Sequence, residues 1–318
     1  MESPQNIKKR LKSVSNIGQI TKAMELVSAT KMRKSQQIAL DSRPYSFAAL
    51  DFLATVSALE NQKLPALFEL RKNIKKVLFV LVTSDKGLAG AFNSSVLKKF
   101  AAHFEKWASL APKGREEHVF LAVGEKAFAY LSKKGYKVIK KFTHAGDFTT
   151  PEQVKPLSDF LVNGYLNKDF DRVIVISTHF RSALKQEPHV RRVLPIDFDH
   201  VADTIKEIIP ERGKFADLIK EHQISFIPDK NRLKEYTIEP KAERVLEKLA
   251  EHLFFMQVYH LILEANASEH SARRMAMKTA SDNASDLGEK LNLQYNKSRQ
   301  SRITTEIAEI SAGAEAQQ

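Results

Sequence analysis

The two ends of the chain hold long segments in which apolar residues recur every three or four positions, and this spacing constrains the fold most. Such spacing places the apolar side chains on one face of a helix. Two helices of this kind bury their stripes against each other or against a partner, which predicts a coiled coil. The N-terminal stripe is Ile7, Leu11, Val14, Ile17, Ile20, Met24 and Val27; the C-terminal stripe is Val245, Leu249, Leu253, Met256, Leu263 and Ala267.

The ends of these helices are predicted by proline and glycine. Ser3 followed by Pro4 is a favourable helix start, because a hydroxyl caps the first turn and proline has no N–H to leave unpaired there. The first helix is expected to run to about residue 59, with Pro44 as an interruption. The last helix is expected from Pro240 to about residue 310, with Gly288 as its weakest point.

The middle of the chain predicts a Rossmann-like domain with a mostly parallel sheet. Continuous apolar runs alternate with helical segments, a pattern typical of a sheet covered on both faces. The chain therefore divides into an N-terminal coiled-coil helix at 1–60, an α/β domain at 74–235 and a C-terminal coiled-coil helix at 237–318. Strands are expected at 77–84, 118–123, 137–142, 172–177 and 190–194, helices at 94–110, 125–134 and 152–166, and short helices and a strand within 197–236.

The net charge of +12 points to an acidic partner. The chain has no cysteine, which excludes disulfides and thiolate catalysis, and no apolar run long enough to cross a bilayer. The basic N-terminus already carries the helical stripe, so we interpret it as mature protein. Basic residues crowd the first helix at Lys8, Lys9, Arg10, Lys12, Lys22, Lys31, Arg33 and Lys34.

The segment SDKGLAGAFN at 84–93 is the most enzyme-like part of the sequence. It lies between a predicted strand and a helix, where α/β proteins often bind phosphate. Its glycines match neither the dinucleotide fingerprint nor the P-loop, so Gly87 and Gly90 favour a structural turn. No histidine pair has metal-ligand spacing with a nearby carboxylate, and no catalytic set can be assigned. We therefore expect no catalytic, cofactor or metal site.

Three segments resemble the signatures of a known family. ITKAMELVSATKMRKSQ at 20–36, SDKGLAGAFN at 84–93 and LQYNKSRQSRITTEIAEI at 293–310 are similar to motifs of the γ subunits of bacterial F-type ATP synthases. Residues 197–235 match poorly. Ala89 stands where cysteine is common in the family, and Lys86 stands where arginine is common.

The resemblance implies a non-catalytic rotor shaft. The coiled coil would enter the α3β3 hexamer, and the α/β domain would contact ε and the c-ring. The complex would lie on the cytoplasmic face of the bacterial plasma membrane, where ion flow turns the shaft and drives the conformational cycle of the β subunits. The resemblance places contacts with β at Lys22, Met24, Lys31, Arg33, Lys34, Arg299, Gln300 and Thr304.

Two alternatives come from other classes of protein. A basic coiled-coil protein that binds nucleic acid should interleave aromatic and basic residues, yet the first helix has no aromatic residue before Tyr45. An α/β enzyme with a helical dimerisation arm should carry a phosphate loop or a catalytic cluster, and none is evident. Nucleic acid is therefore not expected among the partners.

Overall fold

The computed structural model describes residues 3–41, 65–71, 73–110, 116–147, 150–196, 239 and 241–315. The chain separates into two compact units, one of residues 1–29 with 273–318 and one of residues 30–272. The helical continuation expected at 42–59 and the short elements expected within 197–236 lie outside the described residues. The boundaries 1–60, 74–235 and 237–318 stay a prediction.

The described elements follow the predicted order. Because proline and a hydroxyl begin α1 favourably, its first turn is held by the Ser3 carbonyl, which accepts from the Ile7 amide at 3.2 Å. Helix α4 begins with a capping box between Thr150 and Gln153. The helices are α1 (Pro4–Asp41), α2 (Phe92–Leu110), α3 (Glu125–Lys133), α4 (Pro151–Leu166) and α5 (Ala242–Glu315); the strands are β1 (Lys76–Val82), β2 (Glu117–Val123), β3 (Val138–Phe142), β4 (Arg172–Phe180) and β5 (Gln186–Leu194).

The larger unit contains a five-stranded sheet in the order β3-β2-β1-β4-β5. Strands β1, β2, β3 and β4 are parallel, while β5 runs antiparallel to β4. Strand β1 lies at the centre, which explains why its residues are almost wholly apolar and buried. The prediction of a mostly parallel, Rossmann-like sheet is confirmed, and the segment expected at 190–194 is the end of the antiparallel edge strand.

Both faces of the sheet are covered. On one face, alternate residues such as Leu78 and Val80 pack against α4 and against the first part of α5, which includes Phe254 and Ile262. On the other face, Phe79 and Phe120 pack against Phe100 of α2. Residues 261–270 of α5 are buried on every side, so this part of the helix belongs to the core of the larger unit.

The smaller unit is an antiparallel pair formed by the start of α1 and the end of α5. A side-chain carbon at Gly18 would lie 3.5 Å from Cβ of Ala284, so the two helices approach closely there. Leu11 and Leu291 each lie seven residues from that contact and are therefore level with each other. The coiled coil predicted from the two stripes is confirmed, but its seam differs from the predicted one.

After Val14, the predicted N-terminal stripe is not buried against α5, which was one of the two arrangements expected for it. Ile17, Ile20 and Val27 are 52%, 59% and 57% exposed. Small and polar residues occupy the seam instead, because short side chains permit the close approach of two helices. The described buried positions of α1 all lie on one heptad, which the half-buried Leu11, Val14 and Gly18 share: Ile7, Leu11, Val14, Gly18, Thr21, Glu25, Ser28, Met32, Ser35 and Ala39.

Candidate functional site

The turn after β1 is closed by its own side chains. The Ser84 amide donates to Oδ1 of Asn93 at 3.0 Å, and Nδ2 of Asn93 donates to Oγ of Ser84 at 2.7 Å. Oγ of Ser84 in turn donates to the carbonyl of Lys86 at 2.6 Å. Serine and asparagine at the two ends of SDKGLAGAFN therefore fix the path of the loop. Gly90 has φ 54°, a conformation that favours glycine.

The Asp85 side chain accepts hydrogen bonds from two backbone amides outside its own turn, one of them at the N-terminus of α3. Its Oδ1 accepts from the Glu125 amide at the start of α3 at 3.0 Å, and its Oδ2 accepts from the His144 amide at 2.7 Å. An anion at the N-terminus of α3 would bind the unpaired backbone amides of the first helical turn. The Asp85 carboxylate already accepts from one of these amides, that of Glu125. Through these hydrogen bonds, the turn after β1 holds the start of α3 and the loop after β3 in place.

A buried ionic cluster links α5 to strands β4 and β5. Oε2 of Glu264 lies 3.3 Å from Nδ1 of His179 and 3.3 Å from Nη1 of Arg191. Burial alone would raise the pKa of the Glu264 carboxyl, but hydrogen bonds and charge from His179 and Arg191 hold that pKa below its ordinary value. The sequence analysis missed this carboxylate partner of His179, because the two residues are 85 positions apart.

This cluster is unsuited to a metal ion, because the Arg191 guanidinium and the imidazole share the same carboxylate oxygen. Among the described residues there is no group of three or more histidine and acidic side chains that could hold a metal. None of the helices in the described ranges has a stretch both long and apolar enough to span a bilayer.

Helix α1 carries a second stripe that points away from the seam. Ile17, Ile20, Met24 and Val27 recur at steps of three and four, and Lys31 and Lys34 continue the same spacing. Met24 is half-buried and the other members of this outer stripe are exposed. Exposed apolar residues in a row indicate a contact surface for another chain.

The predicted contact residues of α1 do not share one face. Met24 and Lys31 belong to the outer stripe, whereas Lys22 lies on the opposite flank of the seam and donates to Oε2 of Glu25 at 2.9 Å. Arg33 is exposed between these flanks. A partner that contacted all of them would have to surround much of the helix.

The end of α5 extends beyond the start of α1. Since Gly18 is opposite Ala284, Pro4 is level with residue 298, and every residue from 299 to 312 is exposed. Arg299, Gln300 and Thr304 lie in this bare segment, where Oγ1 of Thr304 donates to the Gln300 carbonyl at 2.9 Å. Ile303, Ile307 and Ile310 are also exposed, so the tip presents both polar and apolar side chains.

The described residues thus combine a packed α/β domain with a helical pair whose outer surface carries exposed apolar and basic side chains. These features define a subunit that acts through contacts with other chains. The family model described as "ATP synthase" matches residues 3–317. The ATP synthase gamma chain of Roseiflexus castenholzii is 34% identical, with 99% of each chain covered, and that of Herpetosiphon aurantiacus is 36% identical, also with 99% of each covered. The chain belongs to the ATP synthase gamma-chain family.

Solved structures support the same fold. The chain is similar to one in the mitochondrial ATP synthase of Euglena gracilis described as OSCP/F1/c-ring, with a TM-score of 0.60, 19% identity and coverage of 98% and 94%. A chain in the rotor of that enzyme gives a TM-score of 0.57 with 17% identity and coverage of 94% and 98%. The predicted family is confirmed, and the comparisons give no support to the nucleic-acid alternative.

Proposed function

We propose that this chain is the central rotor shaft of an F-type ATP synthase and is itself non-catalytic. The observation that carries the proposal is the helical pair, whose outer stripe and C-terminal tip expose apolar and basic side chains. The chain that carries this pair belongs to the ATP synthase gamma-chain family. A surface of this kind is stable in water only while its exposed apolar patches are limited or covered by a partner.

The partners follow from the family. The helical pair would contact the α and β subunits inside the α3β3 hexamer, and the α/β domain would contact ε and the c-ring. Relatives in bacteria support association with the membrane as a peripheral subunit, and we place the chain on the cytoplasmic face of the bacterial plasma membrane.

The mechanism requires no reacting group on this chain. Outer-stripe residues lie on one side of α1, so each orientation of the shaft presents a different surface to each surrounding β subunit. A contact that favours one conformation of a nucleotide site shifts its equilibrium by the difference in contact free energy. Rotation would therefore pass each β site through a sequence of affinities, and the reverse coupling follows from linkage.

The contacts with β are proposed at the residues that the family motif marks. Lys31, Arg33 and Lys34 would face acidic side chains of the helix-turn-helix segments of the β subunits, which we call the levers. Lys22 and Met24 would face the same segments. At the tip, Arg299, Gln300 and Thr304 would make polar contacts with β; all three are exposed.

A charge reversal tests the lever contacts. In the assembled membrane complex, Lys31→Glu, Arg33→Glu and Lys34→Glu together should reduce ATP-driven ion pumping by about tenfold. Single exposed charge pairs contribute only about 0–1 kcal/mol each, so the three are changed together. The matched control is Lys126→Glu, Lys133→Glu and Lys134→Glu, which makes the same change in net charge on exposed residues of α3 and its C-terminal end.

Pumping should fall in the first variant and stay near the unmodified rate in the control. Equal pumping by both variants would show that these charges do not contact the levers. The rotor assignment itself fails if the tagged chain, expressed in its native membranes, does not recover α and β subunits. Salt-sensitive binding to DNA by the purified chain would instead favour the nucleic-acid alternative.

A further inference from the structure

Helix α5 is held by directional polar contacts just before it leaves the larger unit. That unit ends at Ala272, and the contacts involve Glu264, His270 and Ser271. We call these three residues and the groups that they contact the polar collar. All three side chains are buried, although most buried residues earlier in the helix are apolar.

One side of the collar faces the β4–β5 hairpin. Glu264 contacts His179 and Arg191, as described above. One helical repeat further on, Oγ of Ser271 donates to the Ala183 carbonyl at 2.7 Å and accepts from Nε2 of Gln186 at 3.4 Å. Glu264 and Ser271 are seven residues apart and so lie on the same face of the helix.

The other side of the collar faces the loop after β3. Nε2 of His270 lies 3.0 Å from the Gly146 carbonyl. The carboxylate of Glu269 packs against the same glycine, where an added Cβ would lie 2.9 Å from Oε2. Strands β3 and β5 form the two edges of the sheet, so the collar joins the helix to loops from both edges.

Directional contacts resist a motion that apolar packing resists poorly. Burial of apolar surface has no preferred direction, so a helix in an apolar groove can turn about its axis and repack. A hydrogen bond weakens steeply as its angle departs from linearity, and a buried charge left without its partner is strongly unfavourable. Contacts in two directions about 100° apart around one helix therefore fix its rotation about its own axis.

We propose that the polar collar locks the rotation of α5 against the α/β domain and is the point where torque passes between that domain and the shaft. This inference rests on the proposed rotor function. It assigns a mechanical role to Glu264, His270 and Ser271, in addition to any contribution that these buried side chains make to stability. Ser268 provides the contrast, because it is fully buried on the same helix yet its Oγ has no hydrogen-bond partner within the described part of the chain.

The test measures the torsional stiffness of the assembled rotor. The chain has no cysteine, so Ser132→Cys, at an exposed position of α3, gives a unique attachment point for a bead on the α/β domain. The α3β3 hexamer is fixed to a surface, and the angular variance of the bead is recorded while the rotor waits for ATP. His270→Leu with Ser271→Ala is compared with Ser268→Ala and with the unmodified chain.

The double variant removes three of the five polar contacts described above, so its angular variance should rise roughly twofold if these contacts dominate the stiffness. Ser268→Ala should leave the variance unchanged. Ser271→Ala alone removes two contacts and should give an intermediate rise, which decides the matter if the double variant does not assemble. If the angular variance is the same in every variant that rotates, the proposed role of the polar collar is wrong, while the proposed rotor function stands. An unmodified chain that assembles but does not rotate would overturn the proposed function and the collar with it.

Discussion

At the scale of single residues, Gly124 joins β2 to α3 in a conformation that other residues rarely adopt. Its φ is 93°, and an added Cβ would lie 2.2 Å from the Thr83 carbonyl oxygen. We predict that Gly124→Ala lowers the free energy of unfolding by about 3 kcal/mol, from backbone strain and steric overlap together. Unfolding in urea can be followed by the fluorescence of Trp107, the only tryptophan in the chain.

Two other glycines separate the causes of that loss. Gly135 has φ 72° but open space around its Cβ position, so Gly135→Ala should cost only the strain, about 1 kcal/mol. Gly87 has open space and an ordinary φ, so Gly87→Ala should be nearly neutral. Equal losses at Gly124 and Gly135 would show that the overlap with Thr83 is relieved at no cost.

Asp171 makes the stability of the α/β domain depend on pH. Oδ1 accepts from Arg71 at 2.8 Å, and Oδ2 accepts from the amides of Lys75 and Lys76 at 2.8 and 3.0 Å. Burial alone would raise the pKa of this carboxyl, but these hydrogen bonds and the Arg71 charge hold it below its ordinary value. Because the folded pKa is the lower one, the stabilisation is complete above about pH 4 and is lost as the pH falls through the folded pKa.

Asp171→Asn should therefore lower the free energy of unfolding by about 2 kcal/mol at pH 7 and flatten its decline below about pH 4. Urea unfolding of the full chain between about pH 2.5 and 7 measures both effects. The exposed Asp159 gives the control variant Asp159→Asn. An unchanged acid slope in Asp171→Asn would mean that other carboxyl groups account for it.

At the scale of elements, the seam between α1 and the end of α5 depends on small residues. Gly18 lies against Ala284, whereas Gly288 has open space around its Cβ position. Gly18→Ala should raise stability by about 0.5–1 kcal/mol, because an added Cβ makes an ordinary contact and glycine is a poor helix former. Gly18→Leu should separate the helices, while Gly288→Leu should be tolerated. Thermal unfolding followed by helical circular dichroism tests this, and similar melting of the two leucine variants would contradict it.

The seam also shows what the sequence could predict and what it could not. Long apolar runs and turn residues predicted the strands and helices, because each is decided by local spacing. The seam after Val14 was missed because the strongest apolar residues, Ile17, Ile20 and Val27, lie outside it. A heptad of small residues running through Gly18, Thr21 and Ser28 was the available signal. The pairing of Glu264 with His179 depends on distant contacts that no local pattern encodes.

At the scale of the whole molecule, charge and apolar surface should govern different steps of assembly. The net charge of +12 attracts an acidic partner over a distance, and this attraction is screened by salt. We predict that association of the purified chain with α and β subunits slows about tenfold between about 0.05 and 0.3 M NaCl. Reversing the charges of Lys31, Arg33 and Lys34 should flatten that dependence more than the matched reversal at Lys126, Lys133 and Lys134.

The outer stripe should act after the chains have met. Ile20→Ser with Val27→Ser removes exposed apolar contacts without opening the core, so the free chain should unfold at an unchanged urea concentration. Its association rate and salt dependence should match those of the unmodified chain, because no charge is altered. Dissociation should be about tenfold faster, since short-range contacts mainly determine how long a complex lasts. Stopped-flow association and dilution-driven dissociation measure the two rates separately. A change in the association rate with an unchanged dissociation rate would contradict this prediction. It would mean that the outer stripe acts when the chains first meet and that other residues of the shaft hold the complex together.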